Sequence, residues 1–370
     1  MTETKTATRV LLATAMALAM PAPVLAHDDV TFVSWTGAYM RSQMLGIVRP
    51  YESETGKTVN VEHYAGGIDE IRNQVDSANV VWDVVDMTEA DVLRACELGL
   101  LERLDNVSFP AGDDGTPYKD DFTEGAVSAC GIGGIRWSTS FAYDSRVFGE
   151  DGPKTIVDFF DTDKFPGARA VRKDPSVLVE WALLADGVAP ADVYATLETE
   201  EGVEQAFKVL DRIRPGVVWW ANEHEPERYL ENGVVPISAA WTVTAIQASK
   251  AEGSNMTVVT DGAVTEMDLY AIPAGTTRRA EALAFIRYAS GTMALARQAG
   301  FLPLEPTRRS SIAAVPDEVR ANFVTGEGGT DGLSLASDAK WWSANYDRIY
   351  ARFEEWAEQS VRKGAAGGVR

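Results

Sequence analysis

Thr31-Phe-Val-Ser-Trp-Thr-Gly-Ala-Tyr39 is a short apolar strand that breaks at Ser34 into a loop carrying two aromatics, with a helix-like run following from Met40. In an open α/β sheet, ligands are held just beyond the carboxyl ends of strands, so Trp35 and Tyr39 stand where a crevice would present ring faces. The competing reading buries both rings in the core, as large aromatics usually are.

The same alternation of strand and helix continues from this stretch. Met40 to Glu54 is helix-like and stops at Gly56, Thr58 to His63 alternates as a strand, and Ile68 to Asn79 carries Ile68, Ile71 and Val75 at helical spacing. Val80 to Val85 reads as a buried strand and Asp91 to Leu98 as a helix ended by Gly99. Strands alternating with helices imply parallel pairing and a doubly wound α/β sheet. Trp137-Ser-Thr-Ser-Phe-Ala-Tyr143 then looks like a strand passing into a second unit. That unit has strands at Ala168–Val171, Val217–Trp220, Val234–Ala239 and Met256–Thr260, and helices at Val177–Ala185 and Glu201–Ile213. After a turn at Asp261-Gly262, the run Glu266 to Pro273 reads as the return crossing. Helices over 279–289 and 292–299 follow, and near the end Trp342, Tyr346, Ile349, Phe353 and Trp356 share one helical stripe, which is packing.

The expected architecture is therefore bilobal, with one lobe over 27–139 plus 262–312 and the other over 140–261 plus 313–370, and a small-ligand cleft between them.

The N-terminus indicates where the chain works. Lys5 and Arg9 precede an apolar run from Val10 to Met20, and Val24-Leu-Ala26 has the small residues a signal peptidase requires, so cleavage is expected after Ala26. The apolar run is too short to span a bilayer. The mature chain is then exported and periplasmic. In an oxidising compartment the two cysteines, Cys96 and Cys130, are expected to form a disulfide, against the alternative of two buried thiols.

The formal charge is -21, and about -22 once a leader carrying Lys5 and Arg9 against Glu3 is removed. Such an acidic chain is a poor partner for nucleic acid or anionic membrane. It suits a cationic ligand, and equally a merely well-solvated surface. Catalytic patterns are missing: the three histidines, His27, His63 and His224, form no His-Glu-x-x-His motif, and there is no Gly-x-Ser-x-Gly elbow. Glu223, His224 and Glu225 in one loop read as a solvated turn rather than a metal site, and no cofactor is expected. Gly131-Ile-Gly-Gly134 lacks the last glycine of a dinucleotide fingerprint and is read as a tight turn. What remains is aromatics and carboxylates at strand ends or in the return crossing: Trp35, Tyr39, Glu89, Trp241 and Asp268. Ring faces and a carboxylate are what an ammonium group wants.

The chain resembles the periplasmic substrate-binding proteins of ABC importers, in the group similar to spermidine/putrescine-binding proteins. The resemblance runs over most of the length and rests on Ser34-Trp-Thr-Gly-Ala-Tyr39, Val81-Trp-Asp-Val-Val85, Cys96 to Leu101, Asp158-Phe-Phe-Asp161 with Phe165-Pro-Gly167, Glu180-Trp-Ala-Leu-Leu-Ala-Asp-Gly187, Trp219-Trp220, Asp268-Leu-Tyr-Ala-Ile-Pro273 and Pro306-Thr-Arg308. It implies a type II periplasmic-binding-protein fold with a two-crossing hinge, no catalysis, a monomer, and delivery of a small polyamine-like amine to a membrane permease. The family's cage carries over onto Trp35, Trp241 and Asp268. Three positions depart: Glu89 stands where the family has an aromatic, Glu266 where it has a tryptophan, and of the second lobe's acids only Asp174 is matched. These departures make an amino-acid-like zwitterion, such as an omega-amino acid with Arg308 or Arg172 on its carboxylate, the competing expectation. An exported enzyme or a chemoreceptor partner on the same fold are the alternatives of other classes.

Overall fold

The computed structural model describes residues 29–324 and 332–366; the leader read over 1–26 lies outside the described residues. Ten strands form one continuous sheet: β1 (Val30–Ser34), β2 (Val59–His63), β3 (Val84–Thr88), β4 (Gly131–Asp144), β5 (Arg169–Arg172), β6 (Val217–Trp220), β7 (Ile237–Trp241), β8 (Met256–Ala271), β9 (Glu305–Pro306) and β10 (Ser334–Ala336). The order is β2-β1-β3-β8-β4-β7-β5-β6, with β10 on β8 and β9 on β4. β1 pairs in parallel with β2 and β3, and β5 with β6 and β7, whereas β4 and β8 run antiparallel to each other and to their outer neighbours. Each half is thus a parallel set closed by one long antiparallel strand, and the two long strands are shared.

Two large apolar cores flank this shared pair. One joins Phe32, Val84, Ile132, Tyr270 and Phe285; the other joins Phe141, Trp181, Phe207, Ile237 and Trp356. β1 and β3 are apolar on both faces because helices cover both sides of a parallel sheet. A third, smaller cluster of Trp35, Tyr39, Ile135, Trp137, Val243 and Leu304 lies between them. The helix Ala339–Ala366 buries Trp342, Ile349, Phe353 and Trp356 in the second core, as their spacing requires. Val315 packs with Ala296 and Ala299.

Three local expectations are corrected. β3 begins at Val84 and runs to Thr88, whose Oγ1 accepts the Asp91 N–H at 3.3 Å and caps the helix Glu89–Glu97. Glu89 is therefore the first residue of a helix. Gly131-Ile-Gly-Gly134 is not a turn but the start of β4: a Cβ on Gly133 would lie 2.7 Å from the Ala126 Cβ, and one on Gly131 2.9 Å from Val92. Asp261-Gly262 does not end a strand either. Gly262, at φ 81°, lies inside β8 where the pairing with β4 shifts register between Thr139 and Phe141, so the stretch is a bulge.

Cys96, at the end of the helix Glu89–Glu97, is disulfide-bonded to Cys130 just before β4, Cα to Cα 5.8 Å, as expected. A closed loop spanning 34 residues of separation restricts the unfolded chain by about 4 kcal/mol in the chain-entropy treatment. Reduction should therefore shift the midpoint of a denaturant titration downward by roughly 3 to 4 kcal/mol of stability. Intact-mass measurement with and without reductant identifies the two forms; an unchanged midpoint in fully reduced protein would refute the contribution.

Candidate functional site

The carboxyl ends of β1, β3, β5, β6 and β7 face the zone between the cores, and the residues that follow them supply most of its polar and aromatic groups. Trp35 and Trp241 meet there with ring centroids 6.2 Å apart and nearly perpendicular. Trp241 also lies 6.0 Å from Trp137 and 6.1 Å from Trp220, edge to face, so it is the centre of a four-indole cluster. Tyr64 tilts against Trp35 at 5.4 Å. Such edge-to-face pairs each contribute about 0.5 to 1.5 kcal/mol beyond area burial, enough to hold the rings in one arrangement.

Asp268 stands inside this cluster, 2% exposed, its Oδ1 accepting the Trp137 indole N–H at 2.9 Å. Burial pushes its carboxyl well above the usual carboxylate range, with further upward pressure from Asp86 and Glu266 and a smaller opposing effect of the Trp137 and Trp35 N–H groups. Below it lies Asp86, whose Oδ2 accepts from Tyr39 Oη at 2.7 Å, Gln43 Nε2 at 2.7 Å and Ser34 Oγ at 3.0 Å. Burial raises Asp86 to about 6 despite these three bonds. Its Oδ1 and the Tyr270 hydroxyl are buried without hydrogen-bond partners. Trp35, Tyr39, Trp137, Glu223, Trp241 and Asp268 line one cavity of about 40 Å³.

A second recess on the far side of Trp241 contains Arg172, Ser176, Trp220 and Glu266. The Arg172 guanidinium lies 5.4 Å from the Trp35 ring and its Nη2 donates to the Ala65 carbonyl at 3.0 Å. Glu266 is raised to about 8, first by burial and then by Glu180, Asp174 and Asp91, against the lowering effect of Arg172. Val177 closes this recess at φ 70°, a left-handed conformation costly for a β-branched residue and characteristic of functional sites.

The structure thus gathers Trp35, Tyr39, Trp241 and Asp268 around one cavity and sets Glu266 and Arg172 in the adjoining recess. The other sequence candidates lie elsewhere. Asp174 Oδ1 accepts from Ser176 N and Oγ at 2.9 and 2.5 Å, and Oδ2 from Tyr346 Oη at 2.9 Å, which ties it to the C-terminal helix. Glu89 is half-buried, raised by burial against the pull of Arg136 and Lys340, and lines neither space. Arg308 is fully buried: its Nε pairs with Asp121, Nη1 donates to the Ser290 carbonyl at 2.8 Å and Nη2 to the Pro110 carbonyl. That leaves this guanidinium occupied within the first half. Trp137, Glu223 and Asp86 were not singled out from sequence. The rule applied to Trp35 would have reached Glu223, which follows the end of β6, but its neighbours His224 and Glu225 drew the reading toward a solvated turn. Among the described residues no group of three His, Cys, Asp or Glu side chains could hold a metal ion.

Two half-sheets joined by two shared strands, with a buried carboxylate in an indole cage at their facing strand ends, define a bilobal solute-binding protein of the type II kind. Similarity to known proteins agrees. Residues 46–323 match the family described as bacterial extracellular solute-binding protein, and the chain belongs to that family. It is 33% identical over 330 residues, 89% of this chain and 91% of the relative, to a gamma-aminobutyric acid-binding protein of Pseudomonas aeruginosa. Among solved structures it is similar to the periplasmic binding protein MotA from A. tumefaciens B6 in complex with glucopine, with a TM-score of 0.81, 26% identity, and coverage of 89% of this chain and 99% of that one. It is also similar to a GABA receptor, with a TM-score of 0.75, 25% identity, and coverage of 89% and 97%. The resemblance read from sequence to substrate-binding proteins of ABC importers, and the type II fold it implied, are both borne out.

The buried acids make stability depend on pH. Asp86 at about 6, Glu180 at about 7 and Glu266 at about 8 all titrate above their ordinary values, chiefly through burial. The folded state therefore holds more protons than the unfolded one between the ordinary carboxylate range and pH 8, and stability falls as pH rises through that window. The melting temperature of the ligand-free protein should decline from pH 5.5 to pH 8.5 in a thermal-shift series. A flat or rising profile would show that these carboxyls are not held protonated.

Proposed function

We propose that this chain captures a small omega-amino acid of the gamma-aminobutyric acid type between its two halves and delivers it to the permease of an ABC importer. The observation that carries the reading is Asp268, a carboxylate buried among Trp35, Trp137 and Trp241, with the Arg172 guanidinium on the other side of the same indoles. A cation against ring faces in a desolvated site gains about 2 kcal/mol or more per ring, and an ammonium would restore the charge balance that Asp268 and Glu266 lack. Arg172 would take the carboxylate at the opposite end. The similarity to a GABA-binding relative supports the same choice. The polyamine expected from sequence is the less favoured ligand, because Glu266 replaces a ring and the recess beside the cage places the Arg172 guanidinium next to that acid.

In this reading the leader is removed after Ala26, the mature protein is a periplasmic monomer, and it binds without catalysing. The halves close about β4 and β8, with lobes over 27–139 plus 262–312 and 140–261 plus 313–370. No helix among the described residues is long and apolar enough to cross a membrane.

Calorimetric titration with gamma-aminobutyric acid and with putrescine is the test. The amino acid should bind at least tenfold more tightly, about 1.4 kcal/mol; the reverse order would restore the polyamine reading. Asp268→Asn should weaken both ligands at least tenfold, since removing one member of a buried charge pair typically costs about 2 to 5 kcal/mol. Arg172→Gln should weaken only the amino acid, and equal losses for both ligands would remove Arg172 from the carboxylate site.

A further inference from the structure

The helix that begins right after Trp35, Gly37–Gln43, has no capping groups of its own. Thr36 precedes it with extended backbone and no side-chain hydrogen bond, and its first turn holds no acidic residue. The first amide groups of a helix need acceptors and favour a negative charge. Here the acceptor comes from the other half of the molecule, 185 residues away: Glu223, in the loop after β6, accepts the Ala38 N–H with its Oε1. Its side chain is 1% exposed and its Oε2 is buried without a hydrogen-bond partner. Gly37 makes the approach possible. It sits at φ 67°, and a Cβ built on it would fall on the Glu223 carboxylate.

Ala38 lies between Trp35 and Tyr39, so whatever grips its amide fixes the segment that carries both rings. Arg172 of the second half also reaches Trp35: its guanidinium lies 5.4 Å from the ring while its Nη2 donates to the Ala65 carbonyl at 3.0 Å. Glu223 faces the same cavity as Asp268, and the charged groups near it are His224 at 3.6 Å and Glu227. Burial raises the Glu223 carboxyl while the Ala38 and Tyr39 amides and His224 lower it. A buried carboxylate is costly to keep without a compensating partner, and the donors that compensate it belong to the other half.

We propose that Glu223 is a positioning residue for ligand capture: an interlobe clasp that caps the Gly37–Gln43 helix only when the halves are together, and so sets Trp35 and Tyr39 in the cage at the moment of closure. This rests on the reading that the halves close on a ligand, but not on which ligand that is. With the clasp made, the segment carrying both rings is held through the Ala38 amide; without it, the helix start loses the Glu223 acceptor and the cage loses one wall.

Spin labels on Arg41→Cys and Arg228→Cys, exposed positions on helices of the first and second half, report the width of the cleft by double electron–electron resonance; the native cysteines are disulfide-bonded. The labelled parent should show a short-distance component that grows with gamma-aminobutyric acid. Glu223→Ala, which removes the acceptor, and Gly37→Ala, which blocks its seat, should each reduce that component at least fivefold with and without ligand, and circular dichroism should show both variants folded. A general structural role would lower the melting temperature without changing the distances. If the short component is absent from the parent, or survives in both variants, the clasp is overturned. If it is present, falls in the variants, yet ignores gamma-aminobutyric acid in the parent, the clasp stands and the ligand assignment fails.

Discussion

The burial of the Asp268 carboxylate on a strand common to both halves is the constraint around which the site is arranged. A charge in that position costs several kcal/mol unless it is hydrogen-bonded or neutralised, and one indole N–H from Trp137 is a partial answer. Trp137 belongs to β4, the other shared strand, so the bond that steadies Asp268 also ties the two crossings together at the level of the cage. The upward shift of its carboxyl measures how incomplete the compensation is. A cationic group is the species that would complete it.

Sharing two long strands has a mechanical consequence. β4 and β8 pair over most of their length, yet the pairing shifts register between Gly133 and Arg136 and again between Thr139 and Phe141. Bulges concentrate twist and bending where ladder bonds are interrupted, and these two bracket Trp137. A rotation of one core against the other would therefore be taken up on either side of the residue that holds Asp268, leaving that pair intact. Contacts between groups that belong to neither shared strand, such as Glu223 on Ala38 or Arg172 on Ala65, are instead the ones that a rotation would make or break.

Much of this was legible in the sequence, for identifiable reasons. Period-2 and period-3.6 patterns gave the alternation of elements, and the rule that ligands gather at carboxyl ends of strands gave Trp35, Tyr39 and Trp241. Gly131-Ile-Gly-Gly134 misled because glycine serves a turn and a crowded strand equally well; only the neighbours Thr307, Ala126 and Tyr270 tell which. Arg308 looked available because charge on a short motif says nothing of a partner 187 positions distant, and Asp121 is that partner. Glu223 was hidden for the same reason, since its acceptor role is defined by Gly37, across the cleft and far earlier in the chain.

The balance of charge around the cage bears on ligand class. Asp86, Asp268, Glu266, Glu180 and Glu223 are all raised, with burial the first cause in each, and Arg172 is a basic side chain that acts against the rise of Glu266. Five unneutralised acids would at first sight favour a polycation. Their hydrogen bonding argues otherwise: Asp86 is spent on Tyr39, Gln43 and Ser34, Glu180 on Trp342 and Tyr194, and Glu223 on the Ala38 amide. Those three acids hold the walls through these hydrogen bonds. Asp268 and Glu266 are left facing the indoles, and Glu266 shares its recess with Arg172. One acid inside the cage, balanced across the rings by one guanidinium, would match a solute with a single ammonium and a single carboxylate better than a chain of ammonium groups.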